Sequence, residues 1–228
     1  RGLCMQARLN GFRMDGFLER LREPVPLSSG ADLPGRLALT KSDFPATMIR
    51  RSLDDQGNEL WHDIAAGERF TAFLGVDVGS TSTKAVLTDA ATGSIRLDVY
   101  TRTAGDPVGA TRSIFRSIEA LITSLGSSVQ IAGCGSTGSG RKLVGTIIGA
   151  DLIVNEISAH AMGAKTVDAD VETIFEIGGQ DSKFIRLEGG RIVDVNMNYV
   201  CAAGTGSFIE EQAGTLGMSL DEISEAVM

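Results

Sequence analysis

The stretch FEIGGQDSKFIRLEGGRIVDVNMNYVCAAGTG, residues 175–206, joins a hairpin able to grip phosphate to a cysteine at the mouth of a glycine-rich helix start. A strand pattern ends near Ile177 and resumes near Phe184, so Gly178 and Gly179 form a tight turn whose backbone can approach an anion. Glu176, Gln180 and Asp181 flank that turn and are candidates to orient an attacking water or touch a metal ion. Further on, Cys201 precedes AAGTG (residues 202–206), with Phe208, Ile209 and Leu216 opening a helix. Amide dipoles at such a helix start favour a thiolate and an anionic ligand. The plain alternative is a structural thiol, since free cysteine commonly behaves as a small hydrophobe.

Roughly a hundred residues upstream, DVGSTSTK (residues 77–84) repeats the device. Gly79 permits the turn, the hydroxyls of Ser80, Thr81 and Thr83 offer hydrogen bonds, and Lys84 offers charge. Asp77, ending its strand, is placed to hold a hydrated magnesium ion. Either turn alone also reads as a surface hairpin, because short motifs match by chance. The pair is far more specific, since two such turns can clamp the terminal phosphates of a nucleotide from opposite sides of a cleft.

The surrounding pattern supports an α/β layer begun twice. Residues 73–77 and 83–88 read as a strand pair, and Ile95, Leu97 and Val99 alternate with polar neighbours as a third strand. Asp106 and Pro107 then open a helix with Val108, Ile114, Phe115, Ile118, Leu121, Ile122 and Leu125 on one side. A strand over 129–132 and a helix around 156–165 follow, and the order restarts at Thr173. The glycine-rich run 133–140 reads as a loop, with Cys134 as filler, and Ser219 with Glu222 forms a capping box.

A formal charge of −8 argues against nucleic acid or an anionic membrane as the main partner. No apolar run approaches a bilayer span and no signal-peptide layout is present, so the chain reads as cytoplasmic. Cys4, Cys134 and Cys201 are too few and too far apart for a disulfide framework. Residues 1–22 carry a weak helical pattern, and four prolines over 23–45 mark an extended connector. Trp61 and His62, in the approach to the first strand, are assigned no chemistry.

The two hairpins resemble the phosphate loops of the actin-like (ribonuclease H-like) ATPase superfamily, and IGGQDSK followed by NYVCAAGTG resembles the activator ATPases of 2-hydroxyacyl-CoA dehydratases and the ATPase subunits of benzoyl-CoA reductases. SAHAMGA (residues 158–164) is also similar to a helix of that family. The resemblance implies an ATPase that uses ATP and Mg2+ to drive a low-potential electron from a four-iron four-sulfur cluster into an acyl-CoA dehydratase or reductase. It implies further a homodimer sharing that cluster, with Cys201 as one ligand, and a donor such as ferredoxin or flavodoxin. Asp77, Glu176 and Gln180 would be catalytic; Gly79, Ser80, Thr81, Thr83, Lys84, Gly178, Gly179 and Asp181 would hold the nucleotide.

The expected organisation is an upstream connector (1–70), a first half-domain (71–168), and the start of a second (169–228), incomplete because neither a second ligand cysteine nor an adenosine-binding segment follows. By itself such a piece is expected neither to hydrolyse ATP usefully nor to hold a stable cluster. A small-molecule kinase of the same superfamily and a non-catalytic nucleotide-binding scaffold are the alternatives.

Overall fold

In a computed structural model, residues 52–220 together with Glu222 and Ile223 are described; the readings for residues 1–51, including Cys4, lie outside them. The elements run β1 (Ser52–Leu53), β2 (Glu59–His62), β3 (Arg69–Val78), β4 (Ser82–Asp89), β5 (Ile95–Arg102), α1 (Pro107–Ser124), β6 (Ser128–Thr137), α2 (Arg141–Ile148), β7 (Leu152–Ile153), α3 (Glu156–Val167), β8 (Thr173–Ile177), β9 (Ser182–Glu188), β10 (Arg191–Met197) and α4 (Gly206–Leu216). The first seven strands form one sheet in the order β1-β2-β5-β4-β3-β6-β7, and the last three form a second, β10-β9-β8. Antiparallel pairing joins β3, β4 and β5, whereas β6 lies parallel to β3 and β7 parallel to β6.

Period-two alternation selects the buried face. Val76 and Val78 of β3, Ala85 and Leu87 of β4, and Leu97 and Val99 of β5 turn inward against Ile114 of α1 and Val144 of α2. The start of α1 is fixed as its sequence suggests: the Asp106 carboxylate accepts from the Gly109 amide at 2.8 Å, with Pro107 in the first turn. A second, smaller core joins Ala161 and Ile157 of α3 to Ile185, Leu187 and Ile174 of the second sheet. Thus α3, although it follows the first sheet in sequence, packs on the second. The Ser219–Glu222 capping box forms in both directions, at 2.7 and 3.2 Å.

Two expectations are corrected. The large sheet reaches upstream of residue 71, because β2 pairs with β5 (Leu60 opposite Val99) and brings Leu60 into the core. A four-residue strand with one inward side chain carries too little alternation to be read from sequence. The glycine-rich stretch through Thr137 is strand rather than loop, held by parallel pairing of β6 with β3. A Cβ at Gly133 would lie 3.3 Å from the Phe73 ring, so the glycine makes room for an aromatic neighbour there. Cys134 sits inside that strand, its amide donating to the Asp151 carboxylate at 2.7 Å. Burial, reinforced by the Asp151 charge, pushes its thiol above the usual cysteine range, which suits a structural role.

Candidate functional site

The β3–β4 and β8–β9 hairpins are built to one plan. Asp77 stands opposite Lys84 in the first and Glu176 opposite Lys183 in the second, carboxylate and ammonium seven residues apart in each case. The amide of the first glycine closes each turn on the carbonyl three residues on, Gly79 to Ser82 at 2.9 Å and Gly178 to Asp181 at 2.8 Å. The two turns face each other across a cleft of about 110 Å³ whose walls include Ser80, Thr81, Gly179, Gln180 and Asp181. Within the cleft Gly179 meets the Thr81 side chain, with which any Cβ at 179 would collide.

That contact yields a direct test. Gly179→Ala is expected to force the hairpins apart and to cost about 1–3 kcal/mol, the usual range for overpacking. Thr81→Gly in the same chain should recover most of that loss. Urea melts of the two single variants and the double variant would measure it, and additive losses would refute a steric origin.

Charge in the cleft is concentrated on the second hairpin. Lys183, whose side chain is 5% exposed, lies 2.8 Å from Glu176 and 3.6 Å from Glu156 at the start of α3. Burial alone would lower its pKa, but the Glu176 hydrogen bond and the charges of Glu176, Glu156 and Asp181 outweigh it and hold the ammonium above the usual lysine range. On the first hairpin Lys84 meets Asp77 at 3.2 Å, both being more than a third exposed, so that pair is open to exchange partners with an incoming ligand. Gly138, at φ 86°, completes the wall, since a Cβ there would lie 2.5 Å from the nearer Asp77 carboxylate oxygen. Carboxylate oxygens are hard ligands of the kind a magnesium ion carried on phosphate would take, and Asp77 and Glu176 are the residues that would offer them here.

Thr83 does not belong to this wall. It is fully buried on the core face of β4, one residue out of phase with Lys84, and shares its hydroxyl with Thr103 at 2.9 Å. Thr103 in turn donates from its hydroxyl to the Gly79 carbonyl and from its amide to the Thr81 carbonyl. Thr83 therefore braces the turn from behind instead of touching phosphate.

Cys201 is exposed, in the loop between β10 and α4. The expectation that the helix start faces its thiol is corrected as well: the first amides of α4, at Gly206 and Ser207, donate to the carbonyls of Gly178 and Gly179 at 3.0 and 2.9 Å. The positive end of the helix lies on the second hairpin. Among the described residues no group of three or more His, Cys, Asp or Glu is arranged to hold a metal ion, so this one thiol does not by itself constitute a cluster site.

Sequence reasoning missed Lys183, Glu156 and His160, which line the cleft together with Gly138 and Ser139 of the glycine-rich run. The signal for Lys183 was present, because its spacing from Glu176 repeats that of Lys84 from Asp77. Glu156 and His160 lie one helical turn apart on α3, and their place follows from the packing of α3 on the second sheet.

A layered α/β arrangement with two glycine hairpins meeting over a cleft defines an actin-like ATPase fold. The chain belongs to the BadF/BadG/BcrA/BcrD ATPase family, whose model matches residues 74–227. It is 35% identical over 152 residues to the (R)-2-hydroxyglutaryl-CoA dehydratase activating ATPase of Acidaminococcus fermentans, covering 67% of this chain and 56% of that protein. It is 38% identical over 153 residues to the activator of lactoyl-CoA dehydratase of Anaerotignum propionicum, with the same coverage, 67% and 56%. Among solved structures, the activator of the 2-hydroxyisocaproyl-CoA dehydratase from Clostridium difficile with bound ADPNP matches with a TM-score of 0.57 at 30% identity, covering 66% of this chain and 54% of that one. The chain thus spans just over half the length of these relatives. No described helix is long and apolar enough to cross a membrane.

Proposed function

We propose that the chain is the phosphate-gripping part of a cytoplasmic ATP-dependent activator that delivers an electron to an acyl-CoA dehydratase or reductase. The observation that carries this reading is the pair of like-built hairpins facing one cleft, each presenting a carboxylate, a lysine and a glycine turn. In it, MgATP places its terminal phosphates between the turns, with Asp77 and Glu176 toward the metal ion, Lys84 toward the phosphates, and Gln180 and Asp181 lining the attacking side. The half-domain division at 168/169 belongs to the same reading, as do a homodimer and a ferredoxin or flavodoxin donor. A four-iron four-sulfur cluster would supply the electron, and Cys201 is one of the ligands it needs.

The relatives' names supply the partner class, an acyl-CoA dehydratase or reductase. The test uses a polypeptide of family length, reconstituted anaerobically and assayed for iron per chain and for phosphate release. Cys201→Ala is expected to lose its iron while keeping MgATP binding, and Cys134→Ala to keep both, since the strand-bound thiol faces no such ligand. Full iron content in Cys201→Ala would remove the cluster assignment. Absence of MgATP binding would remove the ATPase reading itself. The 228 residues alone should release little phosphate and retain little iron, because Cys201, the one ligand this reading assigns, supplies only half of a four-thiolate site across a two-fold axis.

A further inference from the structure

Three successive carbonyls of the second hairpin are held by the segment that carries Cys201. Gly178, Gly179 and Gln180 accept from the amides of Gly206, Ser207 and Ala202 at 3.0, 2.9 and 2.7 Å. No peptide bond among the described residues is cis, so each of these carbonyls has its peptide partner N–H directed oppositely. The amides of Gly179, Gln180 and Asp181 therefore point away from the cysteine loop. Successive amides aligned in this way form an anion-binding concavity. A phosphate that draws those N–H groups must tilt the same rigid peptide planes whose carbonyls the cysteine loop holds.

Asn198 ties this connection down on the other side of the cysteine. Its side-chain nitrogen donates to the Val200 carbonyl at 2.7 Å and to the Gln180 carbonyl at 3.3 Å. Its side-chain oxygen accepts from the Ser182 amide at 3.0 Å, and its own amide donates to the Ser182 carbonyl at 3.1 Å. Both neighbours of Cys201 are thus anchored to Gln180, Ala202 directly and Val200 through Asn198. The loop is stiffened further by the fully buried Thr205, whose hydroxyl donates to the Ala202 carbonyl at 2.8 Å.

We infer that Asn198 is a positioning residue that transmits phosphate occupancy of the second hairpin to the Cys201 loop. The inference rests on the nucleotide reading above and deepens it by naming the connection. Tilting of the Gln180 peptide pulls on Ala202 and Asn198 together, so the exposed thiol between them changes its surroundings as one unit. Without the Asn198 donors Val200 loses its tie to Gln180, and the Ala202 bond is the one left between Gln180 and the two neighbours of Cys201.

The experiment measures alkylation of Cys201 by iodoacetamide, followed by mass spectrometry of its peptide, with and without millimolar MgATP, while backbone amide shifts of Gly179 and Gln180 report binding separately. In the unmodified chain MgATP is expected to change the alkylation rate at least about fivefold, the low end of ordinary coupling between sites. Asn198→Asp keeps an acceptor for Ser182 but removes both donors, and it should bring that change below about twofold while MgATP binds within about threefold of its original affinity. Asn198→Ala should behave alike, and circular dichroism checks that both variants fold. A merely structural loss would raise the rate equally with and without nucleotide. An unchanged rate in the unmodified chain with its amides shifted by MgATP would overturn the coupling alone, as would a full response in Asn198→Asp. Unshifted amides at saturating MgATP would overturn the nucleotide reading, and the coupling with it.

Discussion

Lys183→Met is expected to destabilise the folded chain by about 3 kcal/mol, because it takes from the Glu176 and Glu156 carboxylates the ammonium that both contact. The loss belongs at the low end for a broken buried pair, since both carboxylates keep about a fifth of their surface in water. Methionine retains most of the volume, so packing contributes little and the effect isolates the charge. The sign of the pH dependence follows from the same contacts. The folded-state pKa of Lys183 is raised, so its stabilisation is fully present below the ordinary lysine range and is lost as pH rises through the higher folded-state value. Between neutral pH and the onset of lysine titration the difference in stability between Lys183→Met and the parent should stay constant, then narrow at strongly alkaline pH. Guanidinium melts of both proteins across that range would test this; a gap that narrowed on acidification instead, while still well above carboxylate titration, would contradict the assignment.

Asp77→Ala is expected to weaken MgATP binding about 100-fold, equivalent to about 2.8 kcal/mol, the upper part of the range for a group that holds a metal through its waters. It should have a second effect of opposite sign on metal-free nucleotide. Lys84 loses the partner 3.2 Å away and becomes free to meet phosphate, so ATP in the presence of a chelator should bind more tightly to the variant than to the parent. Calorimetric titrations with and without magnesium would show the two curves converging. Equal losses in both conditions would mean that Asp77 supports the fold and not the ion, and unchanged affinity would mean that it serves neither.

The hairpins were legible because their chemistry is local: each compresses carboxylate, glycine turn and lysine into eight residues that pair with themselves. Asp77, Glu176, Gln180 and both glycine turns line one cleft. Thr83 was misread because strand phase, and not motif membership, decides its direction; a hydroxyl one residue out of step with Lys84 points into the core. Glu156 and His160 could not be read as neighbours of Lys183, since they meet it only through a long-range packing choice, the docking of α3 on Ile185 and Leu187. The direction of the α4 amides was likewise tertiary. Nothing in CAAGTG states that the helix start points at Gly178 and Gly179 and leaves Cys201 aside.

Among the described residues, the large sheet ends on both sides in two-residue strands, β1 and β7. A docking strand gains affinity from a ladder of main-chain bonds, and two residues offer too few rungs to recruit one. Leu53 on one margin and Leu152 with Ile153 on the other are exposed. On the smaller sheet the outer strand β10 carries a register shift between Ile192 and Asp194, which kinks its free margin. Among the described residues the large sheet thus offers a neighbour little backbone to pair with at either margin, whereas β8, the other outer strand of the smaller sheet, keeps a free five-residue edge.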